Sequence, residues 1–404
     1  MDTQRILIKL GGRKHLGEER WRDAIEEYDE IYSICCYKEP SYKWNIPSDK
    51  VSTILIPHTF LNQKLFGLLT RTKGRKQLNW LSALAVSGLR ICNQSLVKKV
   101  RVLNTTNVLC SYGDYDYSDL ACLIFGNAIK APIVRSYKET RPEYNYTEYK
   151  AFKRAETIVL YDIELKKFLE KKYGASFFNG KKVLLGYDEN ALPACVLDKI
   201  QYKEKLSTKD HQVHIAILTF RVDSAPGRSR DQGRYYYIDV IKKLMDAGLI
   251  VHLHCAQYND DNGVNRYKEL AEQNPGKFFM EKPLEMKHSS TTEEWVESCE
   301  ILSQYDIGLL HNIVENSTVS EFDRINIPHR FFAYEAAHVL PVIEKGSNVV
   351  LERMFAEKRC GFVYSELIDL PIVLNQKFSY YTPSYKDYLR GIFQDDKEGV
   401  HDEV

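Results

Sequence analysis

Residues 306–343 read DIGLLHN, IVENSTVSEFDRINIPH, RFFAYEAAH and VLPVI in succession. The apolar runs at the two ends are strand-like, and between them an acid-dotted loop closes on Pro328 and opens a helical pattern. Proline suits the first turn of a helix, because its fixed φ fits that turn and its missing N–H would be unpaired there anyway. The stretch therefore predicts strand, loop, helix and strand, the repeating unit of a parallel α/β sheet. Backbone N–H groups near His329 to Phe331 would face an anion with the helix dipole behind them. That places His329 and Arg330 as diphosphate contacts. Glu335 follows roughly two turns on, where its carboxylate would accept hydrogen bonds from ribose hydroxyls.

The same alternation runs outward in both directions. RILIKL, EIYSICCY, STILIP and VRVLNT read as strands of a first domain, followed by NVLCSY, APIVRSY, TIVLYD and KVLLG with helical patterns between them. After Asp188 the pattern loosens through a mixed-charge stretch with one proline, which reads as a linker. VHIAILTF opens a second series that continues through IVHLHCA, KFFME and DIGLLHN. Two doubly wound domains are expected, with ligands at the carboxyl ends of their strands. There is no internal repeat and no low-complexity segment.

At 404 residues the chain suits two cores, and 44% hydrophobic with 27% charged residues is the balance of a globular protein in water. Nine cysteines without CxxC spacing argue against a disulfide framework or a zinc knuckle and for a reducing compartment. No apolar stretch approaches the roughly 20 residues of a membrane span. Arg5, Lys9, Arg13 and Lys14 break the only short apolar run at the start, against a signal peptide. A cytoplasmic location is expected, peripheral on the inner face of a membrane if the basic block described below docks there.

IPHRFFAYEAAHVLPVI resembles the donor-site segment of two-domain GT-B glycosyltransferases, especially the family-4-like retaining enzymes. In these a Pro, a basic residue, an aromatic pair and a Glu precede a small-residue turn and Pro-Val-Ile. The family carries a second Glu two turns earlier, where this chain has Ile327, and a Gly before the last strand, where it has His338 or Val339. A gapless alignment on Pro341 places Tyr334 at the ribose-binding position instead of Glu335. The first series is similar too, down to Gly186-Tyr187-Asp188 where the family has Gly-x-Asp.

The resemblance implies an α/β protein of GT-B architecture, two Rossmann-like domains facing a central cleft. Residues 1–190 would bind the acceptor, 191–212 link, and 213–380 bind the nucleotide sugar, with 381–404 packing back on the first domain. It implies a glycosyltransferase of hexosyltransferase type that retains configuration and needs neither metal nor cofactor. The sugar would pass from a nucleotide-diphosphate donor to a glycan or lipid-linked saccharide, in surface polysaccharide or glycoconjugate biosynthesis. The alternatives are a sugar-nucleotide epimerase or hydrolase of the same architecture, and a non-catalytic GT-B protein that binds a nucleotide sugar or glycan.

Further candidates come from loops. Gly11-Gly12 follows the first strand; Gly12 would let backbone N–H groups approach a donor diphosphate, and a plain tight turn is the equal alternative. RVDSAPGRSRDQGR at 221–234 sets Arg221 and Arg228 between a strand and a helix, where guanidinium forks would hold a diphosphate and stabilise its leaving charge. A solvated loop paired with Asp223 and Asp231 is the alternative there. Asp114 and Asp116 follow NVLCSY, where relatives carry a His, and would orient an acceptor hydroxyl or act as a base, or else cap a helix. His252 and His254 point the same way from one strand and read as satisfied core histidines.

From Lys50 to Tyr112 there is no Asp or Glu, while WLSALAVSGL is flanked by RTKGRK and VKKVR. An apolar helix bracketed by cations, within 61–103, would lie on an anionic membrane surface, or else be a core helix with a basic rim. Nucleic acid is not expected as a partner, since no recognised binding motif accompanies the charge.

Overall fold

The computed structural model describes residues 4–11, 21–36, 49–110, 115–138, 140–225, 235–258, 261–286, 290–311, 321–367, 370–371 and 377–394. The chain forms two compact units, 1–194 with 384–404, and 195–383. Each is built on one parallel sheet.

In the first unit the strands are β1 (Ile6–Leu10), β2 (Glu30–Cys36), β3 (Val51–Ile56), β4 (Asn107–Cys110), β5 (Ile133–Tyr137), β6 (Thr157–Leu160) and β7 (Lys182–Leu185). They lie in the order β3-β2-β1-β4-β5-β6-β7. β1 and β5 are buried along their whole length, as strands covered by helices on both faces must be. Asp162 starts the helix Ile163–Tyr173 by accepting from Glu164 N, and Gly174 ends it at φ 106°. VRVLNT is not a strand. Val100 and Arg101 finish the helix Gln94–Arg101, whose buried Val97 and Val100 recur at helical spacing. The helix Tyr385–Phe393 adds Tyr385, Tyr388, Leu389 and Ile392 to a core with Ala24 and Tyr28. Buried Asp23 accepts from Ala194 N (3.0 Å) and Lys386 N (3.2 Å), tying that helix down at its first turn.

The second unit holds β8 (His214–Val222), β9 (Ile250–Tyr258), β10 (Phe278–Glu281), β11 (Ile307–His311), β12 (Leu340–Glu344) and β13 (Phe362–Tyr364). Their order is β10-β9-β8-β11-β12-β13. β13 is too short to carry a periodic signal, and the sequence reading passed it over. Both sheets therefore reverse direction of growth beside their first strand. By the strand-end rule for open α/β sheets, each places a ligand crevice there, between β1 and β4 and between β8 and β11.

Candidate functional site

At the second of these positions the sheet opens. β8 and β11 are paired only at Ile307 with Ile215 and Gly308 with Ala216. Two residues further on, at Leu218 and Leu310, backbone groups that a paired strand would satisfy take side-chain partners instead. The Tyr334 hydroxyl accepts from Leu218 N at 2.9 Å and donates to Ala216 O at 3.1 Å. Arg330 bridges the gap, donating through Nη1 to Leu218 O at 3.2 Å and through Nη2 to Leu310 O. The Tyr237 hydroxyl lies 3.4 Å from Nη1, and Arg330 Nε finds no hydrogen-bond partner among the described residues. A guanidinium with two main-chain anchors is thereby fixed across the gap between Leu218, midway along β8, and Leu310, near the end of β11.

The helix His329–Ala336 delivers both side chains. Pro328 is its N-cap, at φ −71° and ψ 145°, one residue earlier than the first-turn position the sequence suggests. Tyr334 is wedged under β11 because Gly308 leaves room: a Cβ there would stand 2.6 Å from the Tyr334 ring. His329 is half-buried beside the Trp295 indole at 5.2 Å. Arg221 lies near the carboxyl end of β8 with its guanidinium 4.1 Å over the Tyr235 ring. Tyr267 steadies that end, receiving Tyr237 N at 3.0 Å and donating to Asp223 O at 3.2 Å.

Two expectations about the ribose need correction. Tyr334 is fully buried, and its hydroxyl is committed to strand backbone. Glu335 is fully buried as well; its Oε2 accepts the Tyr381 N–H, and Oε1 has no hydrogen-bond partner among the described residues. Burial pushes this carboxyl up to about 9, so it is protonated at neutral pH. Neither side chain offers a ribose an open surface. The helix presents its first turn to the crevice and its last turn to the core.

His338 and Val339 stand where the resemblance would put a glycine, and His338 carries the turn before β12. It adopts φ 53°, the left-handed conformation that glycine takes without cost. Its ring is sandwiched between Tyr202 (4.1 Å, 6°) and Tyr380 (4.5 Å, 15°), and its carbonyl accepts from Lys205 Nζ at 2.8 Å. Stacking on both faces offsets the backbone strain.

In the first unit Gly12 and Asp114 lie outside the described residues, as does Arg228 in the second, and the side chain of Asp116 is also outside them. The described part of the β1–β4 crevice is different in kind. Lys9 is buried in β1 beside Gly11, and the fully buried Arg135 pairs with Asp119 at 2.8 Å while donating to Cys110 O at 3.2 Å. Lys138 holds Asp188 at 3.2 Å. Sequence reasoning passed over the pairing of Arg135 with Asp119. One signal was an Arg inside the otherwise apolar run APIVRSY. His252 and His254 are satisfied core histidines: His252 bonds His214 (2.9 Å) and Glu281 (2.8 Å), and His254 bonds Tyr305 (3.0 Å) and Lys282 O (2.9 Å). Among the described residues no group of His, Cys, Asp or Glu is arranged to hold a metal ion, and no helix is long and apolar enough to cross a membrane.

No family profile and no curated protein matches the chain. Solved structures do. A UDP-forming trehalose-phosphate synthase from Burkholderia xenovorans aligns at 10% identity over 97% of this chain and 94% of its own, with a TM-score of 0.54. The lipopolysaccharide outer core galactosyltransferase WaaB, in its apo form, aligns at 10% identity over 96% and 99%, also at 0.54. A trehalose-6-phosphate synthase studied with bisubstrate glycomimetics gives 9% identity over 96% and 95%, at 0.52. At such identities the likeness speaks for the fold, and the fold is GT-B.

Proposed function

We propose that this GT-B chain is a glycosyltransferase that takes a sugar from a nucleoside-diphosphate donor held by its second unit. The observation that carries the reading is the opened β8–β11 crevice with Arg330 locked across it and Arg221 near the end of β8. Guanidinium forks match phosphate oxygens in pairs, so these two would stabilise the charge left on a departing diphosphate without a metal. First-turn N–H groups of His329 and Arg330 add a positive helix end on the same side. Gly12 and Arg228 remain further diphosphate candidates, and Asp114 and Asp116 candidates for the acceptor hydroxyl. The reading makes the acceptor a glycan or lipid-linked saccharide, with hexosyl transfer by retention at the inner face of a membrane, in surface polysaccharide or glycoconjugate synthesis.

The Burkholderia xenovorans neighbour is UDP-forming, so UDP-sugars are the first donors to try. A thermal-shift series with uridine, guanosine, cytidine and thymidine diphosphates and their sugars should give stabilisation by one base alone, unchanged by EDTA. Arg221→Ala should then weaken that donor roughly ten- to hundredfold, the effect of losing about 1.5–3 kcal/mol of hydrogen bonding to a charged group. A full set of nucleotides without any shift would remove the donor site from the protein.

The inward burial of Glu335 favours a second reading, a GT-B protein that binds a sugar nucleotide or glycan without turnover. Donor hydrolysis and transfer assays separate the two. Binding with no product across a broad acceptor panel would select the binder.

A further inference from the structure

The donor reading leaves one face of the first unit unused. In the helix Asn79–Cys92, Ser82, Ala85, Val86 and Leu89 are buried. Trp80, Leu84 and Ile91 fall within about 40° of one another on the opposite side, at roughly 100° per residue. They are 60%, 60% and 73% exposed. A surface helix ordinarily turns polar groups outward, so an indole and two aliphatic side chains in line are the reverse of what water selects.

The neighbouring helices carry further exposed apolar side chains and cations. Thr72 bonds Ser82 at 2.7 Å and Asn93 bonds Asn62 at 3.3 Å, so Phe60–Thr72 runs antiparallel to Asn79–Cys92 and is pinned to it at both ends. Phe60 and Leu61 project from its first turn, Lys64 covers the Phe60 ring at 5.2 Å, and Arg71 lies on the same side as Lys64, seven residues on. Lys98, Lys99 and Arg101 are exposed on the next helix. No carboxylate occurs anywhere in 50–112.

We propose that this face rests on an anionic lipid bilayer, with Trp80, Leu84 and Ile91 in the boundary between headgroups and acyl chains and the flanking cations on lipid phosphates. The sign of the charge selects the occupant. A protein surface fixes particular partners of both signs, whereas a sheet of phosphates takes any arrangement of cations around an apolar stripe and has no use for a carboxylate. The inference rests on the transferase reading only for its purpose, access to a lipid-linked acceptor. The binding itself needs no donor.

The test uses the full chain and vesicles of phosphatidylcholine, alone or mixed with phosphatidylglycerol, in a sedimentation assay. The protein sediments with the anionic vesicles at low salt, stays in solution with the neutral ones, and is released as salt shortens the screening length. Each cation near such a surface contributes roughly fivefold to partitioning, so Lys98→Glu with Lys99→Glu weakens binding about 25-fold or more. Trp80→Ser, Leu84→Ser and Ile91→Ser together weaken it at least about tenfold through lost apolar contact. All these side chains are exposed, so both variants should melt like the parent, and donor-induced thermal shifts should persist in both. No sedimentation of the parent with anionic vesicles, equal sedimentation with neutral ones, or parent-like binding by both variants would overturn the proposal. Vesicle binding without any donor shift would instead remove the transferase reading and leave this one standing.

Discussion

The two sheets share a strand order and differ where it reverses. β1 and β4 are paired at four successive positions, from Leu7 with Asn107 to Leu10 with Cys110, so the first crevice is zipped to its rim. β8 and β11 part after two, and Tyr334 and Arg330 occupy the opening. Topology says where a crevice lies, but a tyrosine, an arginine and a glycine decide whether it is open. Two buried glutamates, one in each unit, differ in the same way. Glu148 accepts from Tyr137 (2.6 Å), Lys172 (2.6 Å) and Tyr173, whereas Glu335 has one backbone N–H. One is a fully used network node, the other an under-used acid beside a candidate site.

That contrast gives the largest expected effects. Glu148→Gln leaves the Lys172 ammonium, 3% exposed, without its counter-charge, and breaking such a pair costs about 3–5 kcal/mol. Glu335→Gln should do the opposite. Its folded pKa is raised above the ordinary 4.5 to about 9, so its stabilising share is full below pH 4.5 and is lost as the pH climbs toward 9. By pH 7 the wild-type carboxyl costs about 3 kcal/mol at roughly 1.4 per pH unit, and the glutamine variant recovers about 2–3 of it. Urea melts at acid and mildly alkaline pH check both variants. A Glu335→Gln gain that does not grow with pH would show that the carboxyl is not held protonated.

Much of this was legible in the sequence, and what was missed has physical reasons. Pro328 and the apolar runs around it located the helix and its first turn, because proline and periodicity act locally. Arg330 followed from that placement. Tyr334 and Glu335 did not: adjacent helical residues face about 100° apart, and only the register of β8 against β11 decides which reaches a backbone gap. VRVLNT shows the same limit in the fold, since Val100 matches Val97 at helical spacing as readily as it matches Val102 at strand spacing. His338 kept the glycine conformation through stacking partners, Tyr202 and Tyr380, that lie far away in sequence.

Glycines sharpen the comparison at a smaller scale. Gly308→Ala drives a Cβ into the Tyr334 ring at 2.6 Å, with the Tyr334 hydroxyl held by two backbone groups of β8, so the strands or the helix must move. Overpacking of this kind costs about 2 kcal/mol. Gly11→Ala meets the end of the Lys9 side chain, Cε nearest at 3.2 Å, and a flexible stem can yield. Thermal melts of the two variants should differ clearly, and equal losses would mean that Tyr334 is free to shift.

Tyr334→Phe is the smallest change and the most direct test of the opened crevice. It keeps the ring that fills the space above Gly308 and removes only the hydroxyl, so packing is held constant while Leu218 N and Ala216 O each lose a partner. Buried groups left unpaired cost about 1–3 kcal/mol, and the low end, about 1 kcal/mol, applies if water enters from the open side. Leu218 O is one of the two carbonyls that fix Arg330, so slackening β8 at this point should loosen the guanidinium too. The variant should therefore lose donor affinity by several-fold although its altered atom is buried. Lost stability with unchanged affinity would confine Tyr334 to the scaffold and leave Arg330 held by Leu310 O alone.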